Sequence, residues 1–321
     1  MMRGTLLISL DFELFWGVRD HSSIASYGAN ILGARKAIPA MLEMFRAYRI
    51  HATWATVGFL FFRTKSELLS ALPAVTPEYS IRTLSPYSDM DCVGKDEDSD
   101  PYHFGRSLID LIRSCPGQEV GTHTFSHYYC CESGQTLESF RYDLEAARRA
   151  ASLLDLGFFS LVFPRNQADA AYLDVCREVG LRCYRGNEAS WLYKKGSRKG
   201  ESQWKRMGRL LDAYVTLSGH NTYAPDCTRQ PINLPSSRFL RPYSAKLAFL
   251  DELRKKRITS GIKHAAETGE IYHLWWHPHN FGAHLEENLS FLQEIFQFFT
   301  QMRELHGMQS QNMSEVASHA C

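Results

Sequence analysis

An almost continuous apolar segment near the start of the chain, Leu6-Leu7-Ile8-Ser9-Leu10, predicts a strand that is buried on both faces. Such strands are typical of parallel sheets, because the connecting helices cover both sides of the sheet. A helical period follows over residues 33–48, with Pro39 in its first turns, and a second strand is predicted over 52–57. Strand and helix alternate at least five times, which indicates an α/β fold with a parallel sheet.

Two long segments interrupt this alternation. Residues 75–106 and 185–245 contain many turn-forming residues and little periodicity, so we predict insertions that carry binding loops. A chain of 321 residues is long enough to bury a full core. We therefore predict one α/β domain over residues 1–306, with these two insertions, and a C-terminal tail over 307–321.

Polar clusters stand where four predicted strands end. They are Asp11 and Glu13, His123 and His127, Arg165 and Asn166, and His277 and His279. In a parallel barrel the C-terminal ends of the strands meet at one face, which is where barrel enzymes have their active sites. The clusters therefore predict one shared site rather than four solvated loops.

The pair His123 and His127 predicts a metal site. Neutral imidazole is a common ligand for zinc, and histidines four apart lie on one face when they occupy a helical turn. Glu13 supplies a carboxylate at the same predicted face. The alternative is a hydrogen-bonded polar rim without a metal.

Composition and charge exclude several functions. The chain is 44% hydrophobic and 22% charged, with a net charge of +1, so no strong field attracts nucleic acid. No stretch of about 20 apolar residues predicts a transmembrane helix. The apolar run at the N-terminus is short for a secretory signal, and the eight cysteines form no C-x-x-C pair. We therefore expect free thiols and a cytoplasmic protein.

The motifs resemble those of the polysaccharide deacetylases, carbohydrate esterase family 4, which includes chitooligosaccharide and peptidoglycan deacetylases. The resemblance extends from Ser9 to about Asn280. His123-Thr124-Phe125-Ser126-His127 meets the family's His-(Ser/Thr)-x-x-His metal motif in full and is the most specific match. Ser9-Leu10-Asp11-Phe12-Glu13 resembles the acidic motif, Phe163-Pro164-Arg165-Asn166 approximates the arginine motif, and His277 matches the late histidine. The resemblance implies an incomplete, distorted (β/α) barrel with parallel strands.

The resemblance also implies a chemistry, which is the metal-dependent removal of an N-acetyl group from a sugar or sugar conjugate, as in surface glycan biosynthesis. One divalent ion is implied, with zinc expected and cobalt, manganese, nickel or iron compatible with the same ligands. The roles carried over are Asp11 as general base paired with Arg165, His277 as general acid, and Glu13, His123 and His127 as metal ligands. We also expect Asn166, Trp191 and His279 to contact the substrate.

Two departures and two alternative functions stay open. One residue separates the two acids, where the usual motif has adjacent aspartates, so either Asp11 or Glu13 is able to contact the metal. Pro164 precedes Arg165, which is not the usual order of the arginine motif, so the role of Arg165 is open as well. His279 competes with His277 for the role of acid. Hydrolysis of a non-sugar linear or cyclic amide would use the same residues. A non-catalytic carbohydrate-binding relative usually lacks a ligand or the base, and both are present here.

Overall fold

Strand β1 (Thr5–Phe12) is an inner strand of the sheet. It pairs in parallel with β2 (Ala52–Thr56) on one side and with β8 (Ile271–Trp276) on the other. The structure is a computed structural model in which residues 3–190, 192–193 and 203–319 are described. Every residue of β1 is buried, as its apolar sequence predicts.

Parallel strands with covering helices make up the described part of the chain. The other strands are β3 (Gln118–Thr122), β4 (Ser160–Val162), β5 (Cys183–Arg185), β6 (Ile232–Asn233), β7 (Arg238–Phe239) and β9 (Gln309–Gln311). The helices are α1 (Ile24–Tyr48), α2 (Lys65–Ser70), α3 (Arg106–Ser114), α4 (Leu137–Ser152), α5 (Ala170–Glu178), α6 (Gln203–Asp212), α7 (Asp251–Thr268), α8 (Leu285–His306) and α9 (Met313–His319). The strand order is β6-β5-β4-β3-β2-β1-β8-β7, and β9 pairs with β1. This curled sheet with its surrounding helices is an incomplete (β/α) barrel, which confirms the predicted fold class.

One irregular segment connects the two edges of the curled sheet. Leu234 N donates to Tyr184 O at 2.9 Å on the β5 side, and Leu240 N donates to Trp275 O at 2.8 Å on the β8 side. Residues 232–240 therefore complete the wall with two short strands, β6 and β7, in place of one continuous strand.

Side chains on the two faces of β1 pack in different hydrophobic cores. Leu6, Ile8, Leu10 and Phe12 pack in the large cluster that also contains residues of α1, α7 and α8. The alternate residues point into the barrel, where Leu7 belongs to a separate apolar cluster. Ser9 and Asp11 continue this inner face, so the barrel interior changes from apolar to charged along one strand.

Helix α1 is longer than its periodicity predicts. It begins at Ile24 because Ser23 and Ser26 form a capping box, in which Ser26 N donates to Ser23 Oγ at 3.2 Å. Pro39 is consequently inside the helix rather than in its first turns, and that part of the prediction is wrong.

The two segments predicted as insertions and the segment predicted as a tail differ in how much secondary structure they form. Between α2 and α3 the chain forms only short 3-10 helices at Arg82–Leu84 and Pro86–Cys92. The segment 185–245 contains α6, β6 and β7. The segment expected as a tail instead contributes β9 and α9, and Met313 is fully buried in the barrel interior.

Cys227 is disulfide-bonded, so the expectation of free thiols is wrong at that position. Among the described residues, Cys92, Cys115, Cys176 and Cys183 are thiols outside disulfide bonds. Within residues 3–190, 192–193 and 203–319, no helix is long and apolar enough to cross a membrane.

Candidate metal centre and active site

The four polar clusters meet in one cavity at the C-terminal ends of the strands. The cavity has a volume of about 390 Å³. Its walls include Asp11, Glu13, His123, His127, Arg165, Asn166, His277 and His279, together with Tyr27, Phe239 and Trp275. Among the predicted site residues, only Trp191 is outside the described part of the chain.

Glu13, His123 and His127 form a buried group with the chemistry of a metal site. One ligand atom from each residue lies within 4.8 Å of the other two. The Glu13 Oε2 atom is 3.3 Å from His123 Nε2 and 3.1 Å from His127 Nε2. A carboxylate and two imidazoles suit zinc and similar divalent ions.

The hydrogen bond at His123 Nδ1 tests whether these three side chains suit a metal ion. His123 Nδ1 is 2.8 Å from the carbonyl oxygen of Val162, and a carbonyl only accepts, so Nδ1 carries the proton. In a neutral ring, Nε2 then presents a lone pair to the Glu13 carboxylate. That contact is favourable when a cation lies between them or when the ring is protonated, and the donor set therefore fits a bound metal.

An irregular loop, not a helical turn, positions the two histidines. Thr124 and His127 have positive φ angles of 64° and 59°, so the helical-turn geometry expected for this pair is wrong. Asp143 of α4 holds the loop by accepting from Phe125 N at 2.7 Å and Ser126 N at 3.2 Å. Burial raises the pKa of Asp143 to about 7, although these hydrogen bonds lower it.

Glu13 reaches the histidines because Gly17 lies beside it. A β-carbon at Gly17 would be 1.9 Å from Glu13 Cδ, so a larger residue would displace the carboxylate. Burial raises the pKa of Glu13, but the charge of His277 and the hydrogen bonds with His123 and His127 more than offset it. The pKa lies well below its usual range.

Arg185, which the sequence reasoning missed, is the partner of Asp11. Its Nη1 donates to Asp11 Oδ1 at 2.7 Å and its Nη2 to Asp11 Oδ2 at 2.8 Å. Burial raises the pKa of Asp11, but the charges of Arg185, His123 and His277 and the Arg185 hydrogen bonds together more than offset it, so the pKa is lowered. The predicted pair of Arg165 and Asp11 is therefore wrong.

Arg165 is turned toward other acids. It donates to Asp20, lies 3.5 Å from Glu132 Oε1, and stacks over the Tyr129 ring at 4.1 Å. Its backbone has a φ of 54°, which directs the side chain away from Asp11 while it still lines the cavity.

A buried relay of hydrogen bonds orients Arg185. Its Nη1 also donates to Ser9 Oγ at 3.0 Å, and Ser9 Oγ is 2.8 Å from His273 Nε2. His273 Nδ1 lies 3.1 Å from Leu234 O, so Nδ1 holds the proton and Nε2 accepts from Ser9. Burial lowers the pKa of His273 to about 3, which keeps the ring neutral.

Asn166 and Trp275 complete the surroundings of Arg185. Asn166 Oδ1 accepts from Arg185 Nη2 at 2.8 Å, and the guanidinium stacks over Trp275 at 4.1 Å. Asn166 thus contacts the arginine as well as the cavity, where we predicted a contact with substrate.

The two late histidines have different environments. His277 Nε2 is 3.7 Å from Asp11 Oδ2 and 3.6 Å from Glu13 Oε1, and its side chain is 24% exposed. His279 is buried under His277 and against Tyr27, with its Nε2 4.0 Å from Glu13 Oε1. Burial lowers the pKa of His279 to about 3. His277 is therefore the histidine that faces both carboxylates and the open cavity.

No protein-family model matches the sequence, and no curated protein matches it. Solved structures do match its fold. A protein assigned as a polysaccharide deacetylase from Mycobacterium smegmatis is 13% identical with a TM-score of 0.60, and the match covers 99% of this chain and 90% of that chain. The fold is that of the polysaccharide deacetylases. A second protein so assigned, from Pseudomonas aeruginosa PAO1, is 11% identical with a TM-score of 0.56, over 99% and 91% of the two chains.

The Puue allantoinase matches equally well, at 12% identity and a TM-score of 0.56 over 99% of this chain and 90% of that chain. The same fold therefore also occurs in a structural neighbour named an allantoinase. At these identities the similarity establishes the architecture, and the activity depends on the site residues.

Proposed function

We propose that the chain is a metal-dependent hydrolase that removes an N-acetyl group from an N-acetylated sugar or sugar conjugate, as a step in building a surface glycan. The observation that carries the proposal is the meeting of Glu13, His123 and His127 with the carboxylate of Asp11 in one cavity. A base beside a metal-ligand set is an arrangement that promotes amide hydrolysis by water.

Glu13, His123 and His127 would hold the metal. A divalent ion there would lower the pKa of a bound water and stabilise negative charge on the acetyl oxygen. Asp11 accepts the proton of the attacking water, and Arg185 keeps that carboxylate ionised and oriented. His277 donates a proton to the departing amine, since its Nε2 faces the cavity between the two carboxylates. The C–N bond breaks, and acetate and the free amine leave.

A second candidate is the hydrolysis of a non-sugar linear or cyclic amide. The similarity to an allantoinase favours it, because that protein has the same architecture. Metal ligands, base and acid would keep their roles, and the difference would lie in the cavity walls beyond them.

Acetate release tests the proposal. The purified chain is loaded with zinc or with other divalent ions and supplied with N-acetylhexosamine substrates, with a cyclic amide as comparison. We expect acetate only in the presence of metal, with loss after chelation and recovery on reloading. Asp11→Asn should lower kcat by about 100-fold or more while the metal content stays the same.

A protein that binds metal but releases no carboxylate from either substrate class would contradict the proposal and favour the non-catalytic relative. Unchanged turnover in Asp11→Asn would exclude Asp11 as the base.

A further inference from the structure

A second cavity adjoins the metal centre. It has a volume of about 320 Å³ and shares Arg165, Asn166, Phe239 and Trp275 with the first cavity. Phe239 and Trp275 pack against each other with ring centroids 4.6 Å apart, so a single aromatic wall faces both spaces. A substrate with its acetamide group at Asp11 would therefore lie directly beside the second cavity.

The lining of the second cavity is rich in cations. It contains the four arginines Arg165, Arg209, Arg238 and Arg241 and one carboxyl group, that of Glu188. Glu188 is buried, and burial raises its pKa although Arg238 and Arg185 lower it. Four guanidinium groups therefore line this cavity beside a single carboxyl group.

The arginines differ in their partners. Arg238 donates to Asp212 Oδ2 at 2.5 Å, and Arg257 shares the same carboxylate at 3.6 Å, so two cations share one anion. Arg165 has acidic partners in Asp20 and Glu132. The Arg241 side chain has no ion pair or hydrogen bond within residues 3–190, 192–193 and 203–319.

Arg241 is also placed to meet a ligand. It follows β7 by two residues, at the end of the barrel where the other site residues lie, and its side chain is half-buried in the cavity wall. A guanidinium group pairs with a phosphate or a carboxylate through two parallel hydrogen bonds. A half-buried arginine without a protein anion is thus suited to an anion supplied by the substrate.

We propose that this cavity, defined by Arg241, Arg238, Asn187 and the Phe239–Trp275 wall, binds an anionic substituent of the substrate. That substituent is a phosphate ester or a carboxylate on the sugar whose N-acetyl group enters the metal centre. The assignment of the anion to an N-acetylated sugar rests on the proposed deacetylation, whereas the anion site itself does not. The substrate class is therefore an acidic N-acetylated sugar rather than a neutral one.

Binding of inorganic pyrophosphate to the metal-free protein tests the anion site without any turnover. Calorimetric titrations compare the wild type with Arg241→Gln and with the control Arg148→Gln, which removes the same charge from an exposed position on α4. We expect binding in the wild type and the control, and a dissociation constant raised about tenfold or more in Arg241→Gln. Equal affinity in all three proteins, or no binding to any, would overturn the proposal.

Kinetics then identify the anion. KM is compared for N-acetylglucosamine, its 1-phosphate and the corresponding N-acetylated uronic acid. A lower KM for one acidic sugar, lost in Arg241→Gln but kept in Arg148→Gln, would support the proposal and name the group. An equal KM for all three sugars would contradict it. Arg241-dependent pyrophosphate binding without acetate release from any sugar would refute the deacetylase function and leave the anion site standing.

Discussion

At the scale of single residues, the site depends on charges that are buried in pairs. Arg185 is fully buried and donates two hydrogen bonds to Asp11. Ser9 and Asn166 accept further hydrogen bonds from the same guanidinium. A buried charge without its partner is strongly destabilising, because neither protein nor water solvates it. The relay from His273 through Ser9 to Arg185 therefore stabilises the barrel as well as orienting Asp11.

The substitution Arg185→Lys should show that Arg185, and not Arg165, orients Asp11. Lysine keeps the charge but loses the two parallel bonds, so we expect the free energy of unfolding to fall by about 2–3 kcal/mol and kcat to fall at least about tenfold. Arg165→Lys is the control, since Arg165 is partly exposed and has its own acidic partners. Urea unfolding and kcat measure both variants. Equal losses in the two would contradict the assignment of Arg185 to Asp11.

At the scale of elements, helix α4 holds the loop that presents the metal ligands. Asp143 projects from α4 and accepts from two backbone N–H groups and from the Ser126 hydroxyl. The geometry of His123 and His127 thus depends on a carboxyl 16 residues beyond His127 in sequence, which no local pattern around the histidines shows.

The buried Asp143 predicts a pH dependence of stability. Its pKa of about 7 in the folded protein is above its ordinary value of 3.8, so the folded state binds this proton more tightly than the unfolded state. This contribution to stability is complete below about pH 4 and is lost as pH rises toward 7.

Asp143→Asn should remove that dependence. In urea unfolding between pH 4 and pH 7, we expect the wild type to lose on the order of 3 kcal/mol more than the variant. The difference between the two proteins isolates Asp143 from the other titrating groups. Parallel pH profiles for the two proteins would show that Asp143 titrates normally.

At the scale of the whole molecule, the barrel interior is apolar at one end and charged at the other. Met313 of α9 is fully buried in a cluster with residues of the surrounding strands, including Leu7 of β1, Val162 of β4 and Ile271 of β8. Toward the C-terminal ends of the strands the same interior contains Ser9, Arg185 and Asp11. The C-terminal segment thus closes the end of the barrel opposite the site.

Met313→Ala should therefore destabilise the protein by about 2–4 kcal/mol, because it leaves a cavity at the centre of the barrel. The control is Met207→Ala on α6, where the side chain is 47% exposed and the expected change is within about 0.5 kcal/mol. Chemical denaturation measures both variants. Equal small effects would show that α9 does not contribute to the barrel core.

Much of the fold was predictable because periodicity reports burial. The apolar runs placed the strands, and their alternation with helices predicted the parallel barrel. Pro39 and the C-terminal segment were assigned less well, since a capping box extends α1 upstream and short elements such as β9 and α9 carry little pattern. Arg185 was missed because it is the first residue of the segment 185–245, which was interpreted as an irregular insertion, whereas in the structure it ends β5. The rule that found the other strand-end residues would have found it there.

By itself, the sequence determined which residue types stand at the strand ends, and these types already indicated a metal site with a carboxylate base. Only the tertiary structure decided which side chains pair. Arg165 and Arg185 are the same residue type at neighbouring strand ends, yet one has a left-handed backbone and turns to Asp20, while the other ends β5 with its side chain inside the barrel. The partner of Asp11 is set by where the backbone directs each guanidinium, which depends on contacts between residues far apart in the chain.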